Sequence, residues 1–233
     1  MKHFLFILGS ILLALLASEP DAIAQVSQWD STYRPDIYKP RVELFKSLPH
    51  SEKDVVFLGN SLTFWADWSE LLGSSYYKNR GIPGDITYGV LDRLDEVIQG
   101  RPAKVFILIG INDLARGIPD SVIIRNYQRI IRQLKARTPS TRVYFQTLLP
   151  TNASFDKLRS HYHKEPRIRA INDSLRELGR EEKIEIIDLY SHFVDEEGNL
   201  KKAYTWDGVH LTLTGYTTWV EVLRAGNYLP RVN

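Results

Sequence analysis

Three residues in this sequence have the side chains of a nucleophile, a base and an acid that orients the base. Ser61 follows an apolar run at residues 55–58 and a glycine, while Asp207 and His210 lie three residues apart. A serine hydroxyl is a weak nucleophile and needs a neighbouring base, such as His210, to take its proton. Asp207 can bind the other ring nitrogen and set the tautomer. The structural alternatives are that Ser61 caps a helix and that His210 is a partly buried, hydrogen-bonded histidine.

Acyl transfer also requires hydrogen-bond donors at the oxygen that becomes negatively charged. The sequence offers Gly84, in Gly-Ile-Pro-Gly-Asp at 81–85, and Asn112, in Gly-Ile-Asn-Asp at 110–113. The backbone N–H groups of Ser61 and Gly84 and the side-chain amide of Asn112 would give three donors. Taken alone, Gly84 is equally typical of a position with positive φ, and Asn112 of a turn.

Short apolar runs predict five strands with amphipathic helices between them. The predicted strands are Asp54–Gly59, Tyr76–Arg80, Lys104–Ile109, Arg142–Thr147 and Ile184–Leu189. Such alternation is typical of a parallel sheet with helices on both faces. Ser61, Gly84 and Asn112 follow the first three strands, and Asp207 and His210 follow the fifth. Because the carboxyl ends of parallel strands meet at one edge, where α/β proteins bind ligands, we expect these residues to converge there.

Helical spacing of apolar residues predicts the segments between the strands. The predicted helices cover 41–48, 62–72 with Trp65 on the buried face, 90–98 with an end at Gly100, the segment between Pro119 and Pro139, a stretch from about Arg167, and a last helix capped by Thr212. Residues 151–164 form the longest irregular segment.

The first 24 residues have the pattern of a secretory signal peptide. Lys2 and His3 precede an apolar run at 4–17, and Ala-Ile-Ala at 22–24 is a typical cleavage sequence. We expect cleavage after Ala24 and a secreted or periplasmic protein. The alternative is an uncleaved anchor, although the run is short for a bilayer span of about 20 residues. Residues 25–53 are predicted to be an N-terminal extension packed on a domain at 54–233.

The composition favours one globular domain and excludes several kinds of function. The 233 residues are 43% hydrophobic, and their net charge of +2 is too small for a nucleic-acid-binding surface. The absence of cysteine excludes disulfides, thiol catalysis and cysteine-ligated metal. Serine-based acyl transfer requires no metal and no organic cofactor, and we expect none.

The remaining histidines and tryptophans give weaker signals. His161 and His163, two residues apart, can bind a metal, but no third ligand is spaced nearby, so we favour a solvated or cleft-lining loop. His50 and His192 are expected at the surface.

Three further residues are candidates for a substrate pocket. Trp65 and Trp206 flank the catalytic positions, where aromatic rings can stack on sugars, although core packing is an equal alternative. Asn152 is predicted to help shape the acyl or alcohol pocket.

Four sequence blocks in a fixed order identify a family resemblance. Gly-Asn-Ser-Leu at 59–62, the glycine block at 81–85, Gly-Ile-Asn-Asp at 110–113 and Asp-Gly-Val-His at 207–210 resemble those of the SGNH (GDSL-type) hydrolase superfamily. The resemblance implies a flavodoxin-like three-layer α/β/α sandwich. It also implies Ser61 as nucleophile, His210 as base, Asp207 as its orienting acid, and Ser61, Gly84 and Asn112 as the oxyanion hole. Asn60 departs from the pattern, which has aspartate there.

The resemblance implies a serine esterase that works through an acyl-enzyme, and the signal-peptide pattern predicts that it is exported. The chain is similar to bacterial acylhydrolases of the platelet-activating-factor acetylhydrolase-like and sialate O-acetylesterase-like groups. Export and aromatic residues near the site favour removal of acetyl groups from glycans or related small esters. The alternatives are a lysophospholipase or thioesterase for longer acyl chains, and a non-catalytic glycan-binding protein of the same fold. We expect no nucleic-acid partner and no stable membrane anchor after cleavage.

Overall fold

Five parallel strands form one sheet in the order β2-β1-β3-β4-β5. The structure, a computed structural model, describes residues 29–229. The strands are β1 Val55–Gly59, β2 Tyr77–Gly81, β3 Lys104–Leu108, β4 Arg142–Gln146 and β5 Glu185–Ile187. All five predicted strands are present, and the last is the one most shortened. Residues 1–28 and 230–233 lie outside the described residues, and with them the predicted signal peptide and its cleavage site.

The strand order places a topological switch point between β1 and β3. The chain leaves β1 toward β2 on one side and continues through β3 on the other, so the helices that follow β1 and β3 diverge and leave a crevice between them. Gly59 lies level with Leu108 and with Gly81 in the two neighbouring strands. The loops after β1, β2 and β3 therefore begin side by side at one edge.

Helices cover both faces of this sheet, which confirms the predicted three-layer α/β/α sandwich. The helices are α1 Tyr38–Ser47, α2 Ser61–Phe64, α3 Trp68–Leu72, α4 Thr87–Asp92, α5 Leu94–Gly100, α6 Ile111–Ala115, α7 Asp120–Arg137, α8 Glu165–Glu182, α9 Tyr190–Phe193 and α10 Leu213–Ala225. Helix α7 packs on α4, α5 and α8, and α10 packs on α3 and α9. Between residues 29 and 229, no helix has the length and apolar character needed to cross a bilayer.

The single helix predicted over 62–72 is wrong, because two short helices occupy this segment. The side-chain amide of Asn79 donates to the carbonyls of Thr63, Phe64 and Ala66, which a continuous helix would have used itself. The indole of Trp68 also donates to Thr63 and stacks on Phe57, with ring centroids 3.8 Å apart. In this segment Trp68 is therefore the buried tryptophan, and Trp65 is 57% exposed.

The helix predicted through 90–98 is also divided, at Arg93. Helix α4 ends at Asp92 and α5 begins at Leu94, because the Arg93 side chain turns into the protein interior. A tertiary interaction again overrides the helical periodicity.

The segment before β1 packs against the domain. Trp29 stacks on Tyr88, and the Tyr38 hydroxyl donates to the Gly89 carbonyl in α4. His192 is exposed as predicted, but His50 differs from its surface prediction, because its ring packs against Gly100 and its Nε2 atom is buried.

Candidate active site

The side chains of Ser61, His210 and Asp207 form a hydrogen-bonded chain. The Ser61 Oγ lies 2.9 Å from His210 Nε2, and His210 Nδ1 lies 2.6 Å from Asp207 Oδ2. Asp207 Oδ1 accepts the backbone N–H groups of Val209 and His210 at 2.9 and 2.7 Å. Its carboxylate is thus fixed on one oxygen by the backbone and faces the imidazole with the other. The structure brings the predicted nucleophile, base and acid together across 149 residues of chain.

The turn after β1 fixes the position of Ser61. Ser61 is the first residue of α2, and the Asn60 Oδ1 accepts the Leu62 N–H at 3.0 Å, as a helix cap does. A side chain at Gly59 would lie 2.2 Å from the Leu108 carbonyl oxygen and 2.4 Å from Thr63 Oγ1. Glycine at 59 therefore lets the nucleophile turn pass directly over the end of β3.

The turn carrying Asp207 and His210 is held by the irregular segment at 151–164. The Asn152 backbone N–H donates to the Gly208 carbonyl at 2.8 Å, and the Tyr162 hydroxyl donates to the Asp207 carbonyl. Gly208 has a φ of +86°, and a side chain there would lie 2.2 Å from the Asn152 carbonyl oxygen. The contact between the two loops thus requires glycine at 208.

The two remaining predicted oxyanion donors line one cavity. Gly84, with a φ of +79°, and Asn112 border a space of about 490 Å³ together with Asp30, Ala115, Arg116, Ser160 and His161. One N–H of the Asn112 amide donates to the Asp85 carbonyl at 2.9 Å, and its Oδ1 faces His161 Nε2 at 3.0 Å. Within residues 29–229 the second N–H of this amide has no acceptor, so it can donate to a ligand.

The three candidate pocket residues lie in different places. Trp206 is half exposed and stacks on the His210 ring, with centroids 5.3 Å apart. Trp65 lies in a separate depression beside Asp67 and Tyr77 and does not line the cavity. Asn152 is buried, and its amide binds the Leu200 carbonyl and Ser154, so its side chain braces two loops and does not face a ligand.

A family comparison agrees with this arrangement. The model of the GDSL-like lipase/acylhydrolase family matches residues 57–218. The chain belongs to the GDSL-like lipase/acylhydrolase family. Platelet-activating factor acetylhydrolase IB subunit alpha1 of Bos taurus is 30% identical to it over 173 residues, which cover 71% of each chain.

Solved structures superpose on this chain. A GDSL-like lipase from Bacteroides thetaiotaomicron, 28% identical, superposes with a TM-score of 0.72 over 82% of this chain and 98% of its own. A catalytic mutant of an acetylxylan esterase from Geobacillus stearothermophilus, 19% identical, gives a TM-score of 0.59 over 76% and 94%. The second comparison shows the shared fold alone.

In this member of the GDSL-like lipase/acylhydrolase family, a buried arginine connects the loops after β1 and β2. Arg93 Nη2 donates to the Gly59 carbonyl at 3.0 Å, and its Nε donates to Asp85 Oδ2 at 2.9 Å. Arg93 also lies 3.6 Å from Glu96, which Arg80 binds at 3.1 Å. Burial raises the pKa of Asp85 to about 6, even though the Arg93 charge opposes this shift.

A second buried carboxylate joins the helix of Asn112 to the loop of Gly84. Asp113 accepts the Thr87 hydroxyl at 2.6 Å and the Thr87 backbone N–H at 3.1 Å, and Asn126 donates to the same hydroxyl at 2.8 Å. Complete burial raises the pKa of Asp113 to about 7, while the bonds from Thr87 oppose the rise. The bond between Thr87 and Asp113 joins α4 to α6.

Sequence reasoning missed several residues that hold this GDSL-like site. Arg93 was assigned to a helix, and Tyr162 lies in a segment with no periodicity. The loop of His161 and His163 was predicted to be solvated or to line the cleft, and His161 does line the cavity while His163 is exposed; the contact between His161 and Asn112 was not predicted. Over residues 29–229, no three or more His, Cys, Asp and Glu side chains are grouped to hold a metal ion. The signal that could have found Arg93 is its charge at a position spaced to face the core.

Arg93→Met should destabilise the fold by about 3–5 kcal/mol at pH 8, because it leaves the buried Asp85 carboxylate without its cation and leaves Glu96 paired with Arg80 alone. In the folded protein the pKa of Asp85 is about 6, above its ordinary value. Protonation of Asp85 therefore stabilises the folded state, and this contribution to stability is lost as the pH rises through about 6. Loss of the cation raises this pKa further, so the destabilisation should be smaller at pH 5.

Urea unfolding of both proteins at the two pH values measures this difference. The control is Arg137→Met, which removes an exposed ion pair with Asp95 and should change the free energy of unfolding by at most about 1 kcal/mol. An equal loss at pH 5 and pH 8 would contradict the assigned role of the buried charge.

Proposed function

We propose that this protein is a carboxylic-ester hydrolase that works through an acyl-enzyme on Ser61. The observation that carries the proposal is the continuous chain from Ser61 Oγ to His210 Nε2 at 2.9 Å and from His210 Nδ1 to Asp207 at 2.6 Å. Both distances are those of hydrogen bonds, so proton transfer needs no rearrangement. Membership of the acylhydrolase family supports the same reaction class.

The proposed reaction has two stages with balanced proton transfers. Ser61 Oγ attacks the ester carbonyl carbon while its proton passes to His210 Nε2, and the carbonyl electron pair moves onto oxygen. The N–H groups of Ser61, Gly84 and Asn112 stabilise this oxyanion. Its collapse releases the alcohol with the proton from His210. Water then attacks the acyl-serine and gives a proton to His210, and as the bond to Ser61 Oγ breaks, His210 returns that proton to Ser61 and the carboxylic acid leaves.

The cavity bordered by Gly84 and Asn112, two of the proposed oxyanion donors, does not have Ser61 in its lining, and its other walls favour a short acyl group. Apart from Gly84, its walls carry one apolar side chain, Ala115, beside the polar or charged side chains of Asp30, Asn112, Arg116, Ser160 and His161. A long acyl chain would desolvate these groups and bury little apolar surface in exchange. We therefore favour acetyl esters, and the acetylhydrolase names of curated relatives support the same choice. A lysophospholipase or thioesterase for longer chains is the alternative.

Trp206 supports a glycan as the alcohol part of the substrate. Its ring is half exposed beside His210, the residue that must protonate the leaving alcohol, and aromatic rings in such positions stack on sugars. The proposed export signal at 1–24 would bring the enzyme to extracellular or periplasmic glycans. A non-catalytic glycan-binding protein is the second candidate, and the hydrogen-bonded Ser61, His210 and Asp207 argue against it.

Ser61→Ala should lower kcat/KM for p-nitrophenyl acetate by about 1,000-fold or more, since the nucleophile is removed and only binding groups remain. The measurement is release of p-nitrophenol by purified protein, with circular dichroism to verify folding. Ser191→Ala, an exposed serine on α9, is the matched control and should keep full activity. Undiminished hydrolysis by folded Ser61→Ala would refute the mechanism and favour the binding protein.

Hydrolysis of p-nitrophenyl octanoate should have a lower kcat/KM than hydrolysis of the acetate, because the polar cavity gains little from added methylene groups. A series from acetate to octanoate, all with the same leaving group, isolates the acyl chain. A ratio of octanoate to acetate well above one would favour the lysophospholipase or thioesterase alternative.

Trp206→Ala should raise KM for an acetylated oligosaccharide by about 5-fold more than KM for p-nitrophenyl acetate, because only the oligosaccharide loses a stacked sugar. The comparison of two substrates removes any general effect of Trp206 on His210. Trp65→Ala, another exposed tryptophan, should change neither value. A selective effect at Trp65 would instead place the glycan in the depression beside Asp67.

A further inference from the structure

We propose that His161 is a positioning residue that fixes the orientation of the Asn112 amide in the oxyanion hole. The inference rests on the proposed function, because Asn112 matters in this way only if an oxyanion forms. His161 Nε2 lies 3.0 Å from Asn112 Oδ1, and the Asp85 carbonyl accepts one N–H of the same amide at 2.9 Å. The oxygen and one hydrogen of the amide are thus both held, which leaves the second N–H for the substrate.

The contacts of His161 determine which ring nitrogen carries the proton. Asn112 Oδ1 can only accept, so Nε2 must carry a hydrogen and donate it. Nδ1 then lacks a hydrogen in the neutral ring and accepts from the Ser160 hydroxyl at 3.2 Å. If the oxygen and nitrogen of the Asn112 amide exchanged places, its N–H groups would face the N–H of His161 Nε2. Its oxygen would then face the Asp85 carbonyl oxygen. The pair therefore selects one of the two amide orientations.

The neutral ring suits this position, since the base His210 must become positively charged during catalysis. Burial lowers the pKa of His161, and the nearby charge of His210 lowers it further. A neutral His161 donates to Asn112 without repelling the imidazolium that forms on His210. A lysine or arginine at 161 would give the same hydrogen bond and would oppose proton transfer to the base.

Neighbouring residues of the same segment reach both halves of the site. His161 ends a short 3-10 helix at Arg159–His161, which packs on α6, the helix of Asn112. The next residue, Tyr162, is buried and donates its hydroxyl to the Asp207 carbonyl. The segment at 151–164 therefore sets the oxyanion amide and the acid turn relative to each other.

The test compares three single variants on p-nitrophenyl acetate. His161→Ala should lower kcat about 10-fold with KM nearly unchanged, because the amide remains but is held only through its N–H to the Asp85 carbonyl. His161→Gln should restore kcat to within about 3-fold, since its amide nitrogen can donate from nearly the same place as Nε2. His163→Asn, an exposed position in the same segment with a φ of +58°, is the matched control and should retain full activity. An active His161→Ala with unchanged kcat would overturn the inference.

A double-mutant cycle distinguishes positioning from a separate contribution to catalysis. Asn112→Ala should lose about 100-fold in kcat, and adding His161→Ala to it should cause no further loss, because His161 acts only through the amide. If the kcat losses of the two single variants multiply in the double variant, the inference is overturned.

A readout independent of activity separates this inference from the proposed function. The side-chain amide signals of Asn112, assigned by their loss in Asn112→Ala, should shift in the ¹H–¹⁵N spectrum of His161→Ala and not of His163→Asn. Unchanged amide signals in His161→Ala refute the positioning, whatever the substrate. If the wild-type protein shows no Ser61-dependent hydrolysis but His161→Ala still shifts the Asn112 amide signals, only the proposed function is refuted.

Discussion

The guanidinium of Arg93 connects the loop ends from which this site is assembled. It binds the Gly59 carbonyl two residues before Ser61 and the Asp85 carboxylate one residue after Gly84. A buried cation is stable only when its carboxylates and hydrogen-bond acceptors are in place, because its desolvation costs several kcal/mol. The fold therefore cannot bury Arg93 without also bringing the nucleophile turn and the loop of Gly84 to a fixed separation. A long-range charge interaction supplies geometry that neither loop specifies alone.

The other half of the site is held by contacts between irregular segments. The Asn152 backbone and the Tyr162 hydroxyl fix the turn of Asp207, and the Thr205 hydroxyl accepts the Gly208 N–H at 2.8 Å and donates to the His210 carbonyl. These bonds satisfy backbone groups that no helix or strand pairs, so the loops are ordered although they lack regular structure. Loops ordered in this way can hold His210 at hydrogen-bond distance from Ser61.

The sequence predicted the sheet and the convergence of the site, because both follow from local pattern. An apolar run such as Val105–Ile109 cannot face water on either side, so it must be a central strand, and parallel strands bring their carboxyl ends to one edge. The helix ends at Phe64 and Asp92 were not predictable in this way. They depend on the hydrogen bonds of Asn79 and on the buried salt bridges of Arg93. The helical spacing of apolar residues gives no indication of these tertiary contacts. Likewise, His161 contacts Asn112 across 49 residues, and spacing along the chain carries no sign of that bond.

Asn60, where the superfamily pattern has aspartate, illustrates how a departure in sequence can preserve geometry. The cap on α2 needs only an oxygen to accept the Leu62 N–H, and Asn60 Oδ1 provides it. The other polar atom of the side chain, Asn60 Nδ2, is buried and has no hydrogen-bond partner within the described residues. An unpaired buried group of this kind lowers the free energy of unfolding by about 1–3 kcal/mol. A carboxylate there would instead be a buried negative charge beside Ser61, and it would oppose an oxyanion forming at that residue. Asparagine thus keeps Ser61 in place without a negative charge beside it, which suits the oxyanion of the proposed reaction.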